Sequence, residues 1–146
     1  MNKLEKFGAE IIKTCLDLGV VPIVYGSYAV KHSTKSKTLK VGDIDFYVSE
    51  KYFKKIVERL NILNIKHEYS EKWHTLPILK GKLKVELDSL DFWYKGTRNF
   101  DKYNFYGLDI KILTLNDLKI MYKYASEKSD SPEKNLKKYK MLDKIK

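Results

Sequence analysis

Two aspartates, Asp43 and Asp45, lie at the start of a hydrophobic alternating segment, residues 43–48. In an extended strand, residues i and i+2 lie on the same face, so the two carboxylates point to the same side. Carboxylates this close repel each other unless a cation lies between them, and hard oxygen ligands favour Mg²⁺. The pair therefore predicts a divalent-metal site at the start of a strand.

A phosphate-binding turn is predicted just before this pair. An apolar run at 20–25 ends in Gly26 and Ser27, whose backbone N–H groups and hydroxyl can contact a phosphate. A polar loop at 32–41 follows and carries Lys35, Lys37 and Lys40. These lysines could reach a triphosphate, but we favour the interpretation that they are solvated side chains. A metal site beside a phosphate-binding turn is suited to a metal-bound nucleoside triphosphate.

A third carboxylate can come from the later segment 83–90. Its apolar residues alternate with polar ones, which places Lys84, Glu86 and Asp88 on one face of a predicted strand. If that strand neighbours the first, Glu86 or Asp88 completes a metal site and accepts a proton from an attacking hydroxyl. The spacing leaves the choice between them open.

The remaining periodicity predicts an α+β fold, a mixed β-sheet with flanking helices. It indicates a single domain, 1–146, with a core at about 20–113 and a helical tail at about 114–146. The predicted helices are 3–18, 28–31, 49–64 with Ser49 as N-cap, 114–125 with Thr114 and Asp117 as a capping box, and 131–145. The predicted strands are 20–25, 44–48, 65–69, 76–79, 83–90, an edge strand at 103–106, and 108–113. A linker is expected at 127–130, and the last helix is expected to bury Leu136, Tyr139, Leu142 and Ile145.

Composition is that of a folded globular protein, with 43% apolar residues and 13% aromatic residues among 146. The sequence has no apolar run long enough for a membrane span and no signal-peptide core at its N-terminus, so we expect a cytoplasmic protein. Cys15 is the single cysteine, which excludes an internal disulfide, and its place on a helical apolar face indicates a core residue.

The chain carries a net charge of +10, from 29 basic and 19 acidic residues. This excess favours polyanionic partners such as nucleotides or nucleic acids. Only Arg59 and Arg98 are arginines, so nearly all the positive charge is lysine, which is also typical of a solvated surface.

The order of these motifs resembles the polymerase-β-like nucleotidyltransferase superfamily, in its small single-domain bacterial and archaeal type. The resemblance covers about residues 20–125 and depends on the hydrophobic strand ending in Gly26-Ser27, a spacer, Asp43-Ile44-Asp45, and the strand Leu83-Lys84-Val85-Glu86-Leu87. It implies that Asp43 and Asp45 bind catalytic Mg²⁺ or Mn²⁺ and that Gly26 and Ser27 contact nucleotide phosphates. Glu86 takes the place of the third acid, where the superfamily more often has Asp, and Asp88 is the reserve.

Two positions depart from the superfamily pattern. Gly42 precedes the Asp-x-Asp motif where Ser or Thr is frequent, and Lys134-Asn135 stands where helical tails often carry Lys-Asp. The resemblance implies transfer of a nucleoside monophosphate from an NTP to an acceptor, with release of pyrophosphate. The resemblance leaves three acceptors open: a small molecule, an RNA end and a protein hydroxyl. It also leaves open whether the chain binds a partner protein or forms a homo-oligomer. The alternative hypothesis is an inactive nucleotidyltransferase-like module that binds RNA or a protein partner.

Overall fold

The computed structural model describes residues 1–128 and 132–145. Its helices are α1 (Lys3–Asp17), α2 (Gly26–Thr34), α3 (Phe53–Ile62), α4 (Leu90–Trp93), α5 (Leu115–Lys128) and α6 (Pro132–Asp143). Its strands are β1 (Ile23–Tyr25), β2 (Ile44–Val48), β3 (Lys66–His67), β4 (Thr75–Lys80), β5 (Leu83–Ser89), β6 (Asp101–Phe105) and β7 (Leu108–Ile112). They form one sheet in the order β3-β4-β5-β2-β1-β7-β6, which confirms the predicted α+β fold.

The sheet is mixed, and its central pairings decide where the acidic residues lie. Strand β2 runs antiparallel to β1 and parallel to β5. In this register Asp45 lies opposite Tyr25 on one side and opposite Glu86 on the other. Because the side-chain period of a strand is two, these three side chains belong to the same face of the sheet.

The opposite face of the sheet forms the hydrophobic core. Ile44, Phe46 and Val48 of β2 are fully buried there, alternating with the acidic positions. Helix α1 lies directly on this face, since a Cβ added at Gly8 would be 3.1 Å from the Ile44 side chain. Buried residues of α1 and α3 complete the core: Phe7, Ile11, Ile12, Cys15, Phe53, Ile56 and Leu60. The prediction that Cys15 is a core residue is confirmed.

Helices α2, α5 and α6 contact one another on the acidic side of the sheet. In α6, Leu142 is fully buried, whereas Leu136 is 40% exposed. The predicted buried stripe is therefore wrong at Leu136, which lies in the exposed first part of α6, whereas Tyr139 and Ile145 are half-buried.

Several boundaries differ from the prediction for local reasons. Helix α2 begins at Gly26 and is longer than the predicted turn at 28–31. The Ser49 side chain makes no capping hydrogen bond, because a 3-10 turn (Glu50–Tyr52) intervenes before α3. Helix α5 ends at Lys128 and therefore includes the first two residues of the predicted linker at 127–130. The other two linker residues and Ser131 lie outside the described residues. Across residues 1–128 and 132–145, no helix has the length and apolar content needed to cross a membrane.

Candidate active site

Three carboxylates meet on the acidic face of the sheet. Oxygen atoms of Asp45, Glu86 and Asp88 all lie within 4.8 Å of one another. The parallel register of β2 and β5 causes this, because it places Asp45 directly opposite Glu86 and Asp88 one strand period further along. Asp43 lies just before β2, and its carboxylate is 3.2 Å from the Lys84 ammonium. The structure thus brings Asp45, Glu86 and Asp88 together, with Asp43 beside Lys84.

Burial and mutual repulsion make this cluster unfavourable as a set of bare anions. Burial, then the charges of Asp43 and Glu86, raise the pKa of Asp45 to about 8. Burial raises the pKa of Asp88 to about 7. The pKa of Glu86 is also raised by burial, against the opposing effect of Lys84. Negative charge is therefore concentrated in a space that a cation would stabilise.

The donor set fits a hard divalent cation. All the candidate ligand atoms are carboxylate oxygens, which Mg²⁺ and Mn²⁺ prefer over nitrogen or sulfur. Asp88 is only 3% exposed, and its Oδ1 has no hydrogen-bond partner among the described residues. Since a buried unpaired oxygen is costly, this atom points to a partner that the polypeptide itself does not supply.

The turn from β1 into α2 packs directly against Asp45. Gly26 has a φ of +73°, and a Cβ added there would lie 2.4 Å from Asp45 Oδ2. The residue before it, Tyr25, makes no side-chain hydrogen bond to the first turn of α2. Gly26 and Ser27 line the cleft, and the start of α2 has no side-chain cap, which suits the binding of an anion there.

Replacing Gly26 with Ala is expected to destabilise the fold by about 2–4 kcal/mol, combining the cost of a left-handed backbone with a contact on Asp45. Gly19 provides the matched control. It also has a positive φ, +84°, yet an added Cβ there meets nothing within 4 Å. Gly19→Ala should cost only the backbone part, about 1 kcal/mol. Chemical denaturation of both variants measures the difference, and equal losses would show that the approach to Asp45 is unimportant.

The acids and the turn border a cleft of about 1060 Å³. Gly26, Ser27, Asp43 and Asp45 line one side, and residues of α5 and α6 line the other. The lysines that line it are Lys40, Lys82, Lys84, Lys134, Lys137 and Lys138. A cleft lined with cations and bordered by carboxylates is suited to a metal-bound polyphosphate.

Helix α6 supplies site residues that the sequence did not identify. Lys134, Lys137, Lys138 and Met141 line the cleft, with a spacing that places them on one helical face. Burial, then the charge of Lys134, lowers the pKa of Lys138, against the attraction of Asp45 and Asp43. The helical spacing of these lysines in the sequence could have predicted a basic face on the last helix. Lys35, Lys37 and Lys40 are all exposed, as predicted for solvated loop lysines, and Lys40 also lines the cleft.

No protein-family model matches the chain, and no curated protein matches it in sequence. Solved structures do match. The crystal structure of ANT(2")-Ia in complex with adenylyl-2"-tobramycin matches with a TM-score of 0.70 and 12% identity, over 97% of this chain and 88% of that one. The lincosamide antibiotic adenylyltransferase LnuA, lincomycin-bound, matches with a TM-score of 0.66 and 14% identity, over 100% and 99%.

A larger enzyme is also similar: the Megavirus polyadenylate synthase matches with a TM-score of 0.64 and 18% identity, over 96% of this chain and 31% of that one. At these identities the likeness is one of fold. The chain therefore shares its fold with these three proteins, which confirms the fold class predicted from the sequence.

Proposed function

We propose that the protein is a metal-dependent nucleotidyltransferase, which moves a nucleoside monophosphate from an NTP to a hydroxyl-bearing acceptor. The observation that carries this proposal is the position of Asp45, which lies opposite Glu86 and against Gly26 at the wall of the lysine-lined cleft. Metal ligands and phosphate ligands thus belong to one continuous surface. The fold shared with two antibiotic adenylyltransferases supports the same reaction class.

Each group in the site has a distinct role under this proposal. Asp43, Asp45 and Glu86 would hold the divalent metal, Mg²⁺ or Mn²⁺, with Asp88 as the reserve ligand. When bound, the metal neutralises charge on the triphosphate and on the departing pyrophosphate. The amides and hydroxyl at Gly26 and Ser27 bind phosphate oxygens, and the cleft lysines bind the β- and γ-phosphates as point charges.

The reaction balances with the groups present. The acceptor hydroxyl oxygen forms a bond to the α-phosphorus, while the bond from that phosphorus to the α–β bridging oxygen breaks. The electron pair of the broken bond leaves with pyrophosphate. The proton of the hydroxyl passes to the third carboxylate, Glu86 or Asp88, within the cluster on β5.

Lys138 is predicted to bind the triphosphate from α6. Lys138→Met is expected to weaken NTP binding about ten- to hundredfold, because a partly desolvated charge-assisted contact is worth about 1.5–3 kcal/mol. Lys140→Met is the matched control, since Lys140 is exposed on the same helix and does not line the cleft. Titration calorimetry with an NTP and Mg²⁺ measures both variants. An equal effect of the two would remove Lys138 from the binding site.

The reaction type is tested with NTP labelled at either the α- or the γ-phosphorus. Protein, Mg²⁺ and a cell extract that contains small molecules, RNA and proteins are incubated with each label. We expect an α-labelled product that forms with the wild type and not with Asp45→Asn, and no γ-labelled product that differs between the two. A γ-labelled product that depends on the wild-type protein would contradict nucleotidyl transfer.

A further inference from the structure

A second pocket, of about 440 Å³, adjoins the lysine-lined cleft. We call it the aromatic pocket, because its wall consists mainly of Tyr47, Trp93, Tyr94, Ile120, Met121 and Tyr124. Met121 lines both the cleft and the aromatic pocket, so the two spaces share a wall at this side chain.

The aromatic pocket lies next to the acidic cluster. Tyr47 follows Asp45 by one strand period and lies opposite Asp88 in the sheet. Its ring stacks on that of Tyr25, a residue of the cleft, with centroids 3.8 Å apart. Its hydroxyl also donates to Met121 Sδ at 3.5 Å. Tyr47 therefore forms the boundary between the aromatic pocket and the carboxylate cluster.

Among its described residues, the aromatic pocket has few polar groups, and its single acidic residue already accepts hydrogen bonds from other residues of the protein. Asp117 is buried, and its Oδ2 accepts hydrogen bonds from the hydroxyls of Tyr94 and Thr97. Lys95 is the other charged residue of the wall. At the mouth, Ile120 is 64% exposed and Tyr124 is 66% exposed. Exposed apolar side chains grouped around a concave site are typical of ligand binding.

We propose that the aromatic pocket binds the acceptor and that this acceptor is an uncharged small molecule with an apolar, ring-containing body and a hydroxyl group. The inference rests on the proposed nucleotidyl transfer, because the acids beside Tyr47 give the hydroxyl its role. A volume of about 440 Å³ suits one small molecule. The aromatic wall supplies burial and ring stacking for its body.

Charge argues against a polycationic acceptor at the same place. The cleft beside the pocket carries six lysines, the wall adds Lys95, and the whole chain has a net charge of +10. The sheet carboxylates next to the pocket, Asp45, Glu86 and Asp88, belong to the candidate metal site. Asp117, in the pocket wall, already accepts hydrogen bonds from two hydroxyl groups. A molecule with several amines would find repulsion without free anionic partners.

The experiment uses 2-(2-naphthyl)ethanol as a neutral aromatic alcohol and spermidine as a polycation, with binding measured by saturation-transfer NMR. Ile120→Arg places a charge at the mouth of the aromatic pocket, and Ile62→Arg is the matched control, an isoleucine that is 78% exposed on α3. We expect the naphthyl signal in the wild type, in Ile62→Arg and in Asp45→Asn, and a loss of about fivefold or more in Ile120→Arg. No naphthyl signal in the wild type, equal signals in the two arginine variants, or a stronger signal from spermidine would overturn the proposal.

The Asp45→Asn variant separates the two proposals. If this variant and the wild type bind the alcohol equally but the wild type transfers no label, nucleotidyl transfer fails while the pocket stands. If label enters an RNA, a protein or a polycation at the same rate in Ile120→Arg as in the wild type, the acceptor assignment fails while nucleotidyl transfer stands.

Discussion

Asp45→Asn is expected to abolish nucleotidyl transfer and, at the same time, to make the protein more stable. Transfer should fall by about a thousandfold or more, because loss of a metal ligand removes several kcal/mol of charge stabilisation. The free energy of unfolding should rise by about 1–3 kcal/mol near neutral pH in metal-free buffer. The gain arises because Asn keeps the shape of the side chain but removes a charge that burial, Asp43 and Glu86 all disfavour.

The stability gain should depend on pH in a defined direction. In the folded protein the pKa of Asp45 is raised from 3.8 to about 8, so the folded state holds the proton more tightly than the unfolded state. The stability that this proton provides is fully present below the unfolded value and is lost as the pH rises through the folded value. The advantage of Asp45→Asn should therefore be small near pH 4 and reach its full size above about pH 8.

Thermal unfolding across this pH range, in buffer with a chelator, measures the effect. Asp101→Asn is the control, since Asp101 is exposed on edge strand β6. The melting temperature of this variant should stay close to that of the wild type at each pH. A variant at Asp45 that is less stable than the wild type at high pH would show that the Asp45 carboxylate stabilises the metal-free fold, contrary to the repulsion inferred for this cluster.

The second large effect concerns the third carboxylate. Glu86→Gln is expected to lower transfer about a hundredfold or more, whereas Asp88→Asn should retain more than about a tenth of the wild-type rate. Glu86 lies directly opposite Asp45 and its side chain is 24% exposed, so its carboxylate keeps partial access to solvent. Asp88 is 3% exposed and lies deeper, opposite Tyr47.

Transfer rates measured at saturating Mg²⁺, together with the Mg²⁺ concentration for half-maximal rate, separate the two acids. The pair is internally matched, because each change replaces a carboxylate with its amide on the same face of β5. A larger loss in Asp88→Asn than in Glu86→Gln would assign the third position to Asp88 instead.

Local patterns were sufficient to predict the elements that hold the site. Alternation placed Asp43 and Asp45 on one face, and the same rule placed Glu86 and Asp88 together on another strand. The sequence could not show that β2 and β5 are parallel neighbours, because strand pairing depends on contacts between residues about 40 positions apart. That pairing is what brings Asp45 within reach of Glu86.

Predictions that depended on long-range packing were less successful. The last helix was expected to bury Leu136, yet this residue is 40% exposed. The side of the helix that faces the cleft carries Lys138, which is attracted by Asp45 and Asp43. Asp117 was predicted as part of a capping box, and its N–H does donate to Thr114 Oγ1 at 3.2 Å. Its carboxylate, however, is bound by Tyr94 and Thr97, from a segment without periodicity.

The central claim is that Asp45 and its neighbouring acids bind an NTP through a divalent metal, and one binding measurement tests it most directly. Titration calorimetry uses an ATP analogue with a methylene group in place of the α–β bridging oxygen, with Mg²⁺ or with a chelator. We predict that the wild type binds at least about tenfold more tightly with Mg²⁺ and that Asp45→Asn loses this difference. Equal affinities under all these conditions, or no binding by the wild type, would contradict the claim and favour a module that binds RNA or a protein partner without transfer.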